Sequence, residues 1–306
     1  MIEPHAPEGY TLEHLLGRGS MGLVYAAHHV RTGQPVAIKW LMTTPPDKQF
    51  SALQRFEREA SLASNIDSNH IVRVVDVGRD REGLSFIVME RFEGEDLQSM
   101  LNREGALAPD VALRIAAQTC LGLEDAHRAG AIHRDIKPSN LFLARLDDGT
   151  VVVKILDFGI AKIQAGHPDS TSAAREYRTT QGRIMGSPFF LSPEQLLGKP
   201  DIDRQADVFS LGITLHTMLV GAVPFPDVKH FVQFLLDTPT TIYKPIREHA
   251  PWIDERIAAI VECATSVDRA QRYPSARAMY EAIADILGGD TTLHQTDLAR
   301  DKTNLQ

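Results

Sequence analysis

Residues 132–143 read IHRDIKPSNLFL. An acid, two bases, a proline and an amide stand in one polar run, between an apolar segment and a short β-like one. A surface turn asks for glycine or proline; it does not ask for a base, an acid and an amide at fixed offsets. Asp135, Lys137 and Asn140 are therefore candidates for chemistry, and the flanking sequence must say what they act on.

The chain has 306 residues, 43% of them hydrophobic and 24% charged, ordinary values for a globular protein with one large core or two smaller ones. Its net charge of −8 weighs against a nucleic-acid partner, which usually goes with a basic domain. Cys120 and Cys263 fall in apolar, helix-like runs, so no disulfide framework is expected and a reducing, cytoplasmic setting fits. There is no run of about 18 apolar residues, so no membrane span is expected. The opening MIEPHAPEGY lacks the apolar centre of a signal peptide.

Residues 10–40 are short β-rich stretches broken by glycine-containing turns: YTLEHLLG, LVYAAHHV and QPVAIKWL. FSALQRFEREASLASNI then has helical spacing, and HIVRVVDVG and LSFIVMERF return to strand. From residue 97 the pattern is helical. PDVALRIAAQTCLGLEDAHRAG opens with Pro109 and Asp110 and stops at Gly130. VVVKILDFGIA is strand-like. Residues 164–186, rich in Ser, Thr, Gly and Arg, predict a loop. ADVFSLGITLHTMLVG is apolar on nearly all sides, hence a buried helix. Helical stretches follow near 229–237 and 253–265, and SARAMYEAIADIL closes the domain. The tail from Gly288 is polar and predicts disorder.

Four further segments bear on chemistry. GRGSMGLV supplies Gly17, Gly19 and Gly22, which let backbone amides approach a phosphate. Alone the spacing is weak, since it arises by chance about once in ten chains of this length. A dinucleotide fingerprint would lead into a helix; here LVYAAHH reads as a strand, so the turn bends between two strands. In VAIK, Lys39 alternates with apolar neighbours and needs an anion, either phosphate oxygens or a helix carboxylate. Glu59 shares a helix face with Phe56 and Ala63, although periodicity leaves Glu57 open. Asp157 in LDFG ends an apolar strand, where a carboxylate near phosphates suits Mg²⁺.

Taken together these segments form the ordered signature of a protein kinase. From about Tyr10 to Leu287 the chain resembles the eukaryotic-like (Hanks-type) serine/threonine protein kinases of bacteria. GRGSMGLV, VAIK, Glu59, HRDIKPSN, DFG, SPE and ADVFSLG follow the family's order and spacing. The resemblance implies an α+β, two-lobed protein kinase fold. Its N-lobe, 10–90, would be a small antiparallel β-sheet with one helix; its C-lobe, 91–287, would be larger and mostly helical. An N-terminal extension, 1–9, would precede the domain and a disordered tail, 288–306, would follow it.

Position by position, the resemblance makes Asp135 the group that orients the substrate hydroxyl and Lys137 the partner of the ATP γ-phosphate. Asn140 and Asp157 become the two Mg²⁺ ligands. Lys39 grips the α- and β-phosphates and is held by Glu59, which the family's spacing favours over Glu57. Leu16, Gly17, Arg18, Gly19, Ser20, Met21 and Gly22 form the loop over the phosphates. Val24, Ala37 and Phe142 sandwich the adenine. Glu90 and Phe92 meet its edge through their backbones, Met89 guards the rear pocket, and Asp96 reaches the ribose. Asp207 anchors the catalytic-loop backbone, and Glu194 pairs with Arg272. Arg134, before the acid, implies a switch by phosphorylation of the loop, with Thr179 and Thr180 best placed for autophosphorylation. Protein substrates bearing Ser or Thr are the implied partners, with self-association for phosphorylation in trans.

GSPFFLSPE departs from the usual GTPxYxAPE, but no catalytic group is lost, and Trp40 after Lys39 has no explanation in the sequence. A binding module without turnover would be expected to lack Lys39, Asp135, Asn140 or Asp157, and a small-molecule kinase the HRDIKP and SPE runs; all are present.

Overall fold

The computed structural model describes residues 5–19, 22–41, 66–157, 188–224 and 245–298. The described residues up to Phe92, apart from Ser68–His70, form one compact unit. Ser68–His70 and the described residues from Glu93 onward form a second. The architecture is α+β.

The first unit is a five-stranded antiparallel sheet. Its strands are β1 (Tyr10–Gly19), β2 (Gly22–His29), β3 (Pro35–Leu41), β4 (Val74–Arg79) and β5 (Ser85–Glu90), in the order β1-β2-β3-β5-β4. Period-two alternation splits its side chains between two faces. Ile38, Trp40, Phe86 and Val88 turn to one face and, with Tyr10, Ala27 and Val36, make its apolar core. The structure supplies the missing account of Trp40. The indole is fully buried, packs edge-on against Tyr25 at 5.8 Å, and donates its Nε1–H to Asp80 Oδ2 at 3.1 Å. Asp80 Oδ1 in turn accepts the N–H groups of Glu82 (3.0 Å) and Leu84 (2.9 Å), fixing the β4–β5 turn. The helix expected over residues 50–65 lies outside the described residues.

The second unit is mainly helical: α1 (Leu97–Glu104), α2 (Pro109–Arg128), α3 (Pro193–Leu196), α4 (Gln205–Val220), α5 (Ile246–His249), α6 (Glu255–Ala264), α7 (Ala276–Ile286) and α8 (Gln295–Leu298). Proline opens α2, where its missing N–H costs nothing. As its sequence requires, α4 is buried on nearly every side, from Ala206 to Leu219. It ends at Gly221, whose φ of 80° and whose approach to the Ala106 backbone both demand a residue without Cβ. Gly122 lets α2 come close to Ile155 and His70; a Cβ there would stand 2.8 Å from the Ile155 side chain.

This unit also carries a four-stranded antiparallel sheet in the order β6 (Glu93–Asp96), β7 (Leu141–Arg145), β8 (Thr150–Ile155) and β9 (Leu293–His294). The last strand corrects the expectation of a disordered tail: residues 288–298 are folded. Leu293 is fully buried and pairs with Val151. Arg114 on α2 donates to the carbonyls of Asp290 (2.7 Å) and Thr292 (2.5 Å). Gln118 Oε1 accepts the Val153 N–H (2.8 Å) while its Nε2 donates to the Thr291 carbonyl (3.2 Å). A polar stretch has no need of its own core when an arginine and a glutamine on a neighbouring helix satisfy its backbone. Residues 299–306 lie outside the described residues.

Candidate active site

Residues 132–140 lie between α2 and β7, and one buried carboxylate holds their entry. Asp207, fully buried in the first turn of α4, accepts three hydrogen bonds. His133 N–H (2.9 Å) and His127 Nε2–H (2.8 Å) reach Oδ2; Arg134 N–H (2.7 Å) reaches Oδ1. A carboxylate out of water needs such donors, and here two of the three are backbone groups of the loop itself. His133 accepts the Asp135 N–H on Nδ1 (3.2 Å), which leaves Nε2–H to donate to the Leu156 carbonyl (2.8 Å). The imidazole therefore ties the loop to the residue before Asp157.

Beyond this anchor the candidate residues converge. Asp135 and Asn140 are buried. Lys137 Nζ donates to Asp135 Oδ2 at 2.9 Å, and Asn140 Nδ2 donates to the Asp135 carbonyl (2.8 Å) and to Oδ2 (3.2 Å). Pro138–Asn140 make one 3₁₀ turn, for which proline presets φ. The Asn140 carbonyl accepts the Leu156 N–H at 2.9 Å, so Asn140 and Asp157 are held as neighbours through the backbone. Because Nδ2 of Asn140 is committed to Asp135, its Oδ1 turns the other way. An amide oxygen and the Asp157 carboxylate make a donor set of the hard kind that Mg²⁺ takes. Arg134 (φ 64°) and Asp157 (φ 49°) are the two non-glycine residues with positive φ among those described, and they lie on either side of this cluster in sequence.

Two neighbours reinforce it. Glu194, at the start of α3, meets Arg272 in a bidentate pair of 2.7 and 2.9 Å with both side chains buried. Arg272 also donates to the Ser266 carbonyl (2.5 Å) and lies over the Phe209 ring (4.9 Å). Burial pushes the Glu194 carboxyl up, but the hydrogen bonds and charge of Arg272 outweigh it and hold the group below its ordinary value. Asp96, expected at a ribose, caps α1 by accepting Ser99 N–H (2.9 Å) and Oγ–H (2.7 Å). Phe142 pairs with both Asp96 and Lys154 across the small sheet.

In the first unit, register arranges the candidates. Val24 stands opposite Lys39, and Lys39 opposite Ile87; Ala37 stands opposite Met89. Val24, Ala37, Lys39 and Met89 thus share the sheet face away from the Trp40 core. The chain reverses between Gly19 and Gly22, which pair directly; Gly17 pairs with Val24 and Arg18 with Leu23, and Leu16 is exposed. Glu90 ends β5, its carboxylate accepting the Arg73 N–H (2.8 Å), and half-buried Phe92 closes the unit. Ser20, Met21, Glu59, Thr179 and Thr180 lie outside the described residues. Three contributors were missed in sequence: His127, Gln195 and Asp80. Only Gln195 left a signal, as the fourth residue of the Ser192-x-x-Gln195 capping pattern.

A family model described as "Protein kinase domain" matches residues 10–282. The probable serine/threonine-protein kinase CE0033 of Corynebacterium efficiens is 36% identical over 276 residues, covering 88% of this chain and 40% of the relative. The serine/threonine-protein kinases PknA of Corynebacterium glutamicum are 34% identical over 288 residues, covering 90% and 56%. This chain therefore spans about half or less of the length of those curated relatives. Among solved structures, the kinase domain of Mycobacterium tuberculosis PknI is similar with a TM-score of 0.68 at 26% identity, covering 93% of this chain and 99% of that one. Rad53 1-466 in complex with AMP-PNP is similar in fold, with a TM-score of 0.68 at 22% identity.

Proposed function

Because this chain belongs to the protein kinase domain family, we propose that it is a serine/threonine protein kinase, transferring the γ-phosphate of ATP to hydroxyls of protein substrates. The observation that carries this reading is the Asp135–Lys137–Asn140 cluster, hydrogen-bonded internally and tied through Leu156 to Asp157. Phosphoryl transfer asks little covalent chemistry of a protein; it asks for positioning and fixed charge.

Asp135 orients the incoming serine or threonine hydroxyl and takes up its proton. Lys137, within hydrogen-bond reach of Asp135, supplies the positive charge beside the phosphoryl group in transit. Asn140 and Asp157 would hold Mg²⁺, whose positive charge would offset that of the nucleotide phosphates. Lys39 and the glycine turn between β1 and β2 would hold the phosphates, and Val24, Ala37 and Met89, on the same sheet face as Lys39, would face the base. AMP-PNP is an ATP analogue, so its presence on Rad53 supports ATP as the nucleotide. Phosphorylation at Thr179 or Thr180, read by Arg134, is the proposed switch. No described helix is long and apolar enough to cross a membrane.

The test is transfer of labelled phosphate from Mg·ATP to a generic Ser/Thr protein substrate. Asp135→Asn should lower kcat by about three orders of magnitude while ATP affinity, measured by calorimetry, stays within about threefold. An Asp135→Asn chain with more than about a tenth of the wild-type rate sinks the assignment.

A further inference from the structure

We propose that Gln195 is a positioning residue for the catalytic loop, its side-chain amide linking the α3 turn to the peptide that carries Asp135. The proposal rests on the kinase reading and adds a residue which that reading does not use.

Arg134 holds a φ of 64°, a conformation an L side chain keeps only when its surroundings over-determine it. Both backbone polar groups of Arg134 are held by side chains. Its N–H donates to Asp207 Oδ1 at 2.7 Å, and its carbonyl accepts from Gln195 Nε2 at 2.8 Å. That carbonyl lies in the same rigid plane as the Asp135 N–H. The N–H end of the plane has a longer, local hold, His133 Nδ1 at 3.2 Å. The shorter hold, reaching across 61 residues of chain, is Gln195. Rotating this plane re-aims the Asp135 carboxylate, so the side chain that fixes the plane also fixes the aim.

The other end of Gln195 is equally committed. Oε1 accepts the Ser192 N–H (3.1 Å) and Oγ–H (3.1 Å), closing the capping box of α3. Ser192 is fully buried, and the adjoining Glu194 is locked by Arg272. A cap alone would be served by glutamate, the usual partner in such a box and one favoured by the helix dipole. What glutamine has and glutamate lacks is the Nε2 donor, and the Arg134 carbonyl is where that donor goes. Residues 158–187 lead into α3, so whatever moves α3 pulls on the Asp135 peptide through one amide.

Gln195→Glu separates the two ends: it keeps the cap acceptor and loses the donor. Gln195→Lys does the reverse. The whole chain is assayed with Mg·ATP and a Ser/Thr protein substrate, together with its melting temperature and amide hydrogen exchange at residues 133–136. In Q195E we expect kcat to fall about tenfold, KM for ATP to stay within about twofold, and an unchanged melting temperature. Exchange at the Arg134 and Asp135 amides should rise about tenfold, with the centre of α4 unchanged. Q195K should keep most of kcat and melt lower. A Q195E chain that fails to fold, or that loses melting temperature while each folded molecule turns over at the wild-type rate, makes the Gln195–Arg134 hydrogen bond a stability tie only and overturns the proposal. An active wild type whose Q195E variant keeps both kcat and exchange overturns it too. A wild type without turnover, whose Q195E variant still shows the faster exchange, sinks the kinase reading and leaves the positioning intact.

Discussion

In the β1–β5 sheet, Val24, Ala37, Lys39 and Met89 are placed by strand register. Between Arg134 and Asp157 the candidate residues are placed the other way, by side chains that bond to loop backbone: buried Asp207, His133 and Asn140, and half-buried Gln195. Register tolerates change as long as the apolar face stays apolar. A network of buried polar groups does not, because each lost partner strands another group away from water. The two units should therefore respond unequally to the loss of one polar contact.

The largest effect is expected at Arg272. Removing it with Arg272→Ala leaves Glu194 buried and unpaired, which should cost about 3–5 kcal/mol in denaturant unfolding of the second unit. The pair also sets a pH dependence. Since the folded-state carboxyl of Glu194 lies below its ordinary value of 4.5, its contribution is complete above that pH. It is lost as acid carries the pH down through the lowered value. In Arg272→Ala the unpaired carboxyl protonates more readily, so the gap between wild type and variant should narrow on acidification below about pH 4.5. A gap that widened there would show that Glu194 is not held ionised by Arg272.

A smaller effect tests whether apolar burial can do in the second unit what it does in the first. Among the described residues of the C-terminal strap, 288–298, Leu293 is the one that is fully buried, and its backbone pairs with Val151. Leu293→Ala should cost about 2–3 kcal/mol and speed hydrogen exchange along β8, the strand that leads to Asp157. No change in either measurement would detach the strap from the domain and return it to the disordered tail that its composition suggests.

That strap also marks where the sequence stops being readable. The candidate cluster was legible because Asp135, Lys137 and Asn140 fall within six positions, in a run, HRDIKPSN, that matches the protein kinase signature in order and spacing. Helices α2 and α4 were legible from proline, glycine and apolar periodicity. The strap was not, because its partners, Arg114 and Gln118, precede it by more than 170 residues and nothing in a polar tail points to them. The same holds for Trp40, whose partner Asp80 stands 40 residues away, and for the Gln195 link to Arg134. Periodicity reports which face is buried; it does not report which distant polar atom completes a buried group.

Trp40 is accordingly the sharpest probe of the first unit. It sits next to Lys39 in sequence but on the opposite face, and its one hydrogen bond ends at Asp80. Trp40→Phe keeps an aromatic ring against Tyr25 and Phe86 but removes the Nε1–H and part of the buried ring volume. Asp80 keeps its two backbone donors on Oδ1, so the carboxylate is not abandoned as Glu194 is in Arg272→Ala. The expected cost is about 1–2 kcal/mol, read by urea unfolding followed through hydrogen exchange of β3 and β5, with Lys39 still in place and KM for ATP unchanged. A cost as large as that of Arg272→Ala would mean that this sheet, too, depends on a buried polar node, and the contrast between register and network would be lost.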